Sequence, residues 1–169
     1  MKKILLISDT HGYLDKKLFK HISEADEVWH AGDIGDVELS SEIEKLKPFK
    51  AVFGNIDGNA LRSLYPENLI FDCEKVKVFM THIGGYPTKY PARIKKELEE
   101  HKPAIFICGH SHILKVMHDK QYNLLHINPG AAGVHGFHQV KTAVRFEINN
   151  SEIKNLAIIE LGKRTSIDN

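Results

Sequence analysis

The sequence contains few cysteines and no long apolar run. Its two cysteines, Cys73 and Cys108, lie far apart and form no CxxC pair, which excludes a disulfide scaffold and a zinc ribbon. The apolar run near the N-terminus, Ile4 to Ile7, has four residues, whereas a signal peptide needs roughly 7 to 15 and a membrane span roughly 20. We therefore expect a protein of the reducing cytoplasm with no membrane partner.

An excess of charge of either sign is also absent. Twenty-three basic residues stand against 22 acidic ones, for a formal net charge of +1, so extended nucleic acid is not an expected partner. The 169 residues, 42% of them hydrophobic, are enough for one well-cored domain but too few for two. We expect a single domain over residues 1–162 and a frayed polar tail over 163–169. The oligomeric state stays open, a homo-oligomer included.

Strand and helix signals alternate in the first half of the chain. Strands are predicted at 4–7, 28–29 and 51–53, and the helices between them carry Leu14, Leu18 and Ile22, then Leu39, Ile43 and Leu46. These apolar residues recur every three or four positions, which is typical of one helix face. The βαβαβ order favours parallel strands with crossover helices.

The second half of the chain is mostly strand. A hairpin is expected at 69–80, because only Glu74 and Lys75 separate its two apolar runs, and a helix is expected from Pro91 to His101. Five further strands are predicted at 105–108, 114–118, 124–127, 144–148 and 153–161, the last pair joined by a turn at Asn149-Asn150-Ser151. The strands are too many for one sheet, so we predict an α/β fold of two packed mixed sheets, a β-sandwich, flanked by helices.

Short polar blocks stand where the predicted strands end. They are Asp9-Thr-His11-Gly12, Gly32-Asp33, Gly54-Asn55, Thr81-His82 and Gly109-His110-Ser-His112. Taken singly, each block is ordinarily a turn, a helix cap or a loop. Five such blocks, all at strand ends, indicate an active site along one edge of a sheet.

The side chains in these blocks are of the types that bind metals. Asp9 and His11 are two residues apart, so both can reach one cation from a strand end. The carboxylate of Asp33 has two oxygens and can bridge two cations. Imidazoles such as those of His110 and His112 favour transition metals or zinc over magnesium and calcium.

These blocks resemble the calcineurin-like metallophosphoesterases, in particular their small single-domain phosphodiesterase branch in bacteria and archaea. The resemblance spans Asp9 to Ala131 and includes His30-Ala-Gly-Asp33 and the closing turn Asn128-Pro129-Gly130-Ala131. It implies a four-layer sandwich fold that holds two divalent metal ions, with manganese expected first and iron, zinc or nickel as alternatives.

The resemblance assigns a role to each block. It places Asp9, His11 and His112 on one metal, Asn55, His82 and His110 on the other, and Asp33 between them. The residues expected to carry catalysis are Asp33, Asn55, Asp57 and His82. With two cations, two carboxylates and a bridging hydroxide the centre keeps a charge of about +1, which suits a phosphate ester. The implied reaction is the attack of a metal-bound hydroxide on phosphorus, with no covalent enzyme intermediate.

The chain departs from the family pattern at two points. Many relatives carry histidine directly after the Asn, where it resembles a general acid, but here Ile56 has no proton to donate. Asp57 is kept, either to orient a histidine or water or to stabilise a turn. The loop after His82 also differs, since Ile83-Gly84-Gly85 replaces the more usual Gly-His pair. His135 and His138 follow the closing turn in a glycine-rich segment and could extend over the site.

The expected activity is hydrolysis of small phosphate esters, most specifically diesters with good leaving groups. A phosphomonoesterase is the alternative enzyme, because the same two metals serve both reactions. A non-catalytic scaffold of the same fold, like the retromer subunit, is the alternative outside enzymes. All seven ligand positions carry metal-competent residues, which favours an enzyme.

Overall fold

The computed structural model describes residues 1–165 of the chain. In chain order its elements are β1 (Lys2–Ile7), α1 (Leu18–Glu24), β2 (Glu27–His30), α2 (Val37–Leu46), β3 (Phe49–Ala51), α3 (Asn59–Leu64), β4 (Asn68–Cys73), β5 (Val76–Thr81), α4 (Ala92–His101), β6 (Ile105–Ile107), β7 (Leu114–Asp119), β8 (Leu124–Pro129), β9 (Val140–Asn149) and β10 (Glu152–Lys163). None of the described helices combines the length and apolar character that a membrane span requires.

The strands form two mixed sheets of five strands each. The first has the order β10-β9-β1-β2-β3, in which β1, β2 and β3 are parallel and β9 runs antiparallel to both β1 and β10. The second has the order β4-β5-β6-β8-β7, with β5, β6 and β8 parallel and the two edge strands antiparallel. The predicted βαβαβ unit and both hairpins are present.

The alternation of side chains along β1 shows how the layers are built. Successive strand residues point to opposite faces. Ile4 and Leu6 enter the core between the sheets, where they meet Trp29, while Leu5 and Ile7 enter a second core under the first three helices. A third core joins the other sheet to α4 through residues such as Ile94. The result is four layers, helices–sheet–sheet–helix, which confirms the predicted fold class.

Two boundaries and one helix illustrate how the structure differs from the sequence prediction. Helix α1 begins at Leu18, four residues after Leu14, because the carboxylate of Asp15 accepts a hydrogen bond from Lys17 N at 2.9 Å and holds a turn there. Strand β3 ends at Ala51, two residues earlier than expected. Helix α3 is absent from the prediction, because it has six residues and buries only Leu61, which is too little to produce a periodic pattern.

Residue 163, the first residue of the expected tail, belongs to a strand. Lys163 pairs with Val140 as the last residue of β10. The Arg164 guanidinium donates to the carbonyls of His138 at 3.0 Å and Val134 at 3.1 Å. The boundary expected after residue 162 therefore falls inside β10, and residues 166–169 lie outside the described part of the chain.

Candidate metal centre

The polar blocks meet at one end of the sandwich. The loops after β1, β2, β3, β5 and β6 carry the seven predicted ligands, in chain order Asp9, His11, Asp33, Asn55, His82, His110 and His112. Parallel strands end at the same edge of their sheet. Backbone hydrogen bonds then join the loops, from Asp9 N to Gly32 O at 3.0 Å and from Gly109 N to His82 O at 2.9 Å. The structure thus brings together all seven side chains.

Asp9, His11 and His112 form the first of two ligand groups, which we call site 1. Their potential ligand atoms lie within 4.8 Å of one another, and His112 Nε2 is 3.1 Å from Asp9 Oδ1. The other oxygen of Asp9, Oδ2, accepts hydrogen bonds from Ser8 Oγ at 2.6 Å and His110 N at 3.1 Å. Asp9 is therefore oriented through one oxygen, and the second oxygen faces the centre.

Asp33, His82 and His110 form the second group, which together with Asn55 we call site 2. Asn55 Oδ1 lies 3.1 Å from His82 Nε2 and 2.9 Å from His110 Nδ1. His82 Nδ1 lies 2.8 Å from the carbonyl oxygen of Ala31. Since a carbonyl can only accept, Nδ1 carries the proton and Nε2 faces the centre.

Asp33 lies between the two sites. Its Oδ1 accepts a hydrogen bond from Ile56 N at 3.0 Å, while its Oδ2 is 3.2 Å from His82 Nε2 and 3.6 Å from His11 Nε2. One carboxylate oxygen thus faces both groups at once, which is the position a bridging ligand needs.

The donor set fits divalent cations. Asp9 Oδ1 and His11 Nε2 are buried and have no hydrogen-bond partner among the described residues, a costly arrangement unless a ligand satisfies them. Around His82 Nε2, the facing atoms are the acceptor oxygens of Asn55 and Asp33. An imidazole nitrogen facing two acceptors is stable there only with a positive charge between them, either a proton or a metal ion. Mixed imidazole, carboxylate and amide ligands suit manganese, iron, nickel or zinc.

The pKa shifts of the residues in the centre reflect the negative charges of Asp9 and Asp33. Burial lowers the pKa of His82, but hydrogen bonding to Asp33 and the charges of Asp9 and Asp33 outweigh it and raise the pKa above its ordinary value. Burial would raise the pKa of Asp33, yet its bonds to His82 and Ile56 N lower it. Burial lowers the pKa of His11 despite both carboxylates. The field that would hold a proton on His82 would also hold a metal ion.

Asp57 was expected to take part in catalysis, and its contacts give it a different role. Its buried carboxylate accepts backbone hydrogen bonds from Ile34 N at 3.1 Å, Gly35 N at 2.8 Å and Gly54 N at 2.8 Å. These bonds join the loop after β2 to the loop after β3. These contacts favour a positioning role for Asp57 on the loops that carry Asp33 and Asn55 over a catalytic one.

His30 and Asn128 support the site from the interior. His30 Nδ1 accepts from Gly32 N at 3.1 Å, so its Nε2 donates to Thr10 Oγ1 at 2.8 Å. Complete burial lowers the pKa of His30 to about 4 and keeps the ring neutral. Asn128 Nδ2 donates to Gly109 O at 2.9 Å and to Ser111 Oγ at 3.1 Å, which holds the loop of His110 and His112.

The sequence pattern does not identify Ser8 as a residue of the site. It leaves open whether His135 and His138 extend over the site, and both lie beside site 1. The signal for Ser8 is its hydroxyl directly before Asp9. His135 is exposed, and its ring centroid is 5.7 Å from that of His11. His138 Nδ1 lies 3.2 Å from His112 Nδ1. Burial lowers the pKa of His138, which favours its neutral ring.

A small cleft opens beside site 2. It has a volume of about 170 Å³, and Arg62 and Arg93 line it together with Asn55 and His82. The Arg62 guanidinium stacks 4.4 Å from the centre of the Phe53 ring. A larger cavity of about 430 Å³, lined by α1 and β9, contains none of the predicted site residues.

Comparison with known proteins identifies the family. The calcineurin-like phosphoesterase superfamily domain matches residues 1–151. A protein described as a probable metallophosphoesterase from Methanocaldococcus jannaschii is 31% identical over 136 residues, covering 76% of this chain and 67% of that protein. The chain therefore belongs to the calcineurin-like phosphoesterase superfamily, a family of metal-binding phosphoester hydrolases, which confirms the resemblance stated above.

Solved structures agree on the fold. Vps29 of Chaetomium thermophilum superposes with a TM-score of 0.76 at 14% identity, covering 95% of this chain and 97% of that one. A structure described as a novel archaeal phosphodiesterase has a TM-score of 0.69 at 21% identity, covering 93% of this chain and 99% of that one. At these identities the likeness shows a shared fold alone.

Proposed function

We propose that this protein is a phosphodiesterase that uses two divalent metal ions, manganese first, to hydrolyse small phosphate esters. The observation that carries the proposal is the direction of the donor atoms. Asp9 Oδ1 and His11 Nε2 have no hydrogen-bond partner among the described residues, and Asp33 Oδ2 faces His82 and His11, while the other oxygens of Asp9 and Asp33 accept hydrogen bonds elsewhere. Such preorganised ligands cost little rearrangement when cations bind.

The ligands of each site have separate tasks. Asp9, His11 and His112 would hold the first ion, while Asn55, His82 and His110 would hold the second. Asp33, whose carboxylate faces both groups, would be a ligand of both ions. When bound, two such ions supply an activated water for attack on phosphorus and positive charge for the phosphoryl oxygens.

The cleft beside site 2 supports an anionic substrate with a second substituent. Arg62 and Arg93 line it with Asn55, His82 and one acidic residue, Glu67. The two guanidinium groups also donate to backbone carbonyls of the neighbouring loops, and guanidinium groups pair well with phosphate oxygens. A phosphodiester carries a second ester substituent, which would occupy such a cleft. The same fold in an archaeal phosphodiesterase agrees with this assignment.

The absence of a proton donor at Ile56 predicts a preference for esters with good leaving groups. The Ile56 side chain is 46% exposed beside Asn55 and has no titratable atom. General acid catalysis typically contributes about 10²- to 10⁴-fold to the release of a poor leaving group. We therefore expect aryl and nucleotidyl esters to react much faster than simple alkyl esters.

Hydrolysis of matched aryl diesters and monoesters by metal-stripped and manganese-reconstituted protein tests the proposal. Diester hydrolysis should require the metal. It should fall by more than about 100-fold in Asn55→Ala and His82→Ala, since even neighbours of metal ligands typically cost 10- to 100-fold. Asn68→Ala and His118→Ala, at exposed positions on β4 and β7, should keep the wild-type rate.

Three outcomes would contradict the proposal in different ways. Hydrolysis of monoesters alone would identify a phosphomonoesterase. Failure of the wild-type protein to bind two metal ions, measured by calorimetry, would favour the scaffold alternative. Equal rates on aryl and alkyl diesters would show that a proton donor is present after all.

A further inference from the structure

The segment His135-Gly136-Phe137-His138 runs directly against His112 of site 1. An added Cβ on Gly136 would lie 2.1 Å from His112 Nδ1, and Gly136 has a φ of +117°, a value that favours glycine. The backbone N–H of Gly133 just before it donates to Asp9 O at 3.1 Å. This segment is therefore packed onto the residues that carry site 1.

His138 is held in one orientation by two independent contacts. Its Nε2 lies 2.9 Å from the carbonyl oxygen of Gly133. Arg164 anchors its backbone through the His138 carbonyl, and Arg164 N donates to Gln139 O at 2.8 Å. The ring of His138 thus has a fixed position beside His112, although no part of the metallophosphoesterase assignment required it.

The proton positions in this pair follow from the acceptor at one end. Because the Gly133 carbonyl can only accept, His138 Nε2 carries the proton, and the neutral ring presents a lone pair at Nδ1. That lone pair is 3.2 Å from His112 Nδ1, so His112 donates from Nδ1. In the neutral ring Nε2 then carries no proton, and it faces Asp9 Oδ1 at 3.1 Å.

We infer that His138 is a positioning residue that keeps His112 in the tautomer able to bind a metal ion at site 1. The inference rests on the proposed function, because it gives His112 a metal to bind. His82 of site 2 is oriented in the same sense by the carbonyl of Ala31. At site 1 the orienting group is the side chain of His138, so a substitution can remove the hydrogen bond to His112 without altering the backbone.

Two substitutions of His138 distinguish the effect of its hydrogen bond with His112 from the effect of its size and shape. His138→Leu removes the acceptor that faces His112, whereas His138→Asn keeps an acceptor oxygen where Nδ1 stands. Loss of a partner that orients a metal ligand typically costs about 10- to 100-fold in metal affinity. His118→Leu, which removes an exposed histidine on β7, is the matched control.

Calorimetric titration of the full chain with manganese provides the first measurement. H138L should bind one of its two ions about 10- to 100-fold more weakly, H138N should stay within a few-fold of wild type, and H118L should match wild type. An unchanged affinity at both sites in H138L would overturn the inference, as would equal losses in H138L and H138N.

Nitrogen NMR of the histidine rings provides a second measurement in metal-free protein. His112 should carry its proton on Nδ1 in wild type and in H138N, and should become a mixture of tautomers in H138L. This readout needs no metal. It can therefore support the role of His138 even if the wild-type protein binds no ions and the proposed function fails, and a His112 without a proton on Nδ1 in wild type would refute that role.

Discussion

Five of the seven proposed ligands have a backbone conformation that L-residues rarely adopt. Asp9, His11, Asp33, His110 and His112 have φ values of +54°, +48°, +54°, +67° and +59°. A non-glycine residue in this region typically costs of order 1 kcal/mol and persists where the surroundings enforce it, often at functional sites. Here the cost is tolerated because each turn directs a donor side chain back toward the centre.

Glycine at position 54 is required by the approach of Asp33. A Cβ there would lie 2.0 Å from Asp33 Oδ1 and 2.3 Å from Asp33 N, so the backbone itself would have to move. We expect Gly54→Ala to weaken manganese binding at least tenfold and to destabilise the fold by about 1 to 3 kcal/mol, as overpacking typically does. Calorimetry and urea unfolding measure the two effects.

Gly58→Ala is the control for this prediction. A Cβ at position 58 meets nothing within 4 Å. The change weakens the cap of α3 but also restricts the unfolded chain, so we expect a net change within about 1 kcal/mol and wild-type metal affinity. Equal metal affinity in the two variants would show that the close contact at Gly54 does not hold Asp33.

The elements place the ligands, and the loops between elements orient them. The seven proposed ligands lie in the loops after five strands, while the helices cover the outer faces and contribute none of them. The loops hold one another: the Asp57 carboxylate, two residues before α3, accepts hydrogen bonds from backbone groups at 34, 35 and 54. A short helix with little periodicity thus follows a turn that is central to the site.

Asp57→Asn tests this loop-to-loop connection. An amide has one acceptor oxygen, and its NH₂ group would face backbone donors that the carboxylate now satisfies. Leaving such donors unpaired typically costs about 1 to 3 kcal/mol, so urea unfolding should show a loss of this size, accompanied by weaker manganese binding. Asp72→Asn, at an exposed position on β4, should change stability by less than about 0.5 kcal/mol. A loss equally small in D57N would contradict the assigned role.

At the scale of the whole molecule, buried groups in and beside the sandwich link its stability to pH. Trp29 packs between the sheets, with its ring centroid 4.9 Å from Phe71 and 5.6 Å from Phe146. It is the single tryptophan, so its fluorescence reports on this core. His126 on β8 is fully buried next to Tyr90, and burial, aided by Lys115 and opposed by Asp119, lowers its pKa to about 4.

This depressed pKa predicts loss of stability in acid. Between an ordinary histidine pKa of about 6.5 and the folded pKa of about 4, the unfolded chain binds a proton at His126 that the folded protein does not. Stability therefore falls as pH decreases through this window, by up to about 3 kcal/mol from this residue. Urea unfolding of metal-free protein, followed by Trp29 fluorescence from pH 7.5 to pH 4.5, measures the slope.

Two variants assign the slope to His126. His126→Gln should flatten the dependence by about one proton near pH 5, whatever its own stability. Tyr90→Phe removes the hydroxyl beside His126 but keeps the buried imidazole, so it should retain the wild-type slope. An unchanged slope in H126Q would mean that the acid sensitivity arises from other groups, His30 first among them.

The sequence by itself determined which residues can bind metals and where along the chain they lie. Strand patterns ending in Asp, His and Asn are local features, and parallel strands bring their ends to one edge, so the sandwich and the set of seven donors followed from them. The parallel unit at β1 to β3 and the hairpins were predictable for the same reason. Helix α3 was not, because six residues with one buried side chain carry no periodic signal.

Only the tertiary structure decided which atoms of those residues face the centre. The orientation of Asp9 depends on His110 N, 101 positions away, and the role of Asp57 depends on backbone donors 22 and 23 positions before it. His138 meets His112 because Arg164 and Gly136 bring a glycine-rich segment against site 1. Hydrogen bonds between distant loops set proton positions and backbone conformation, and no local pattern of residues encodes them.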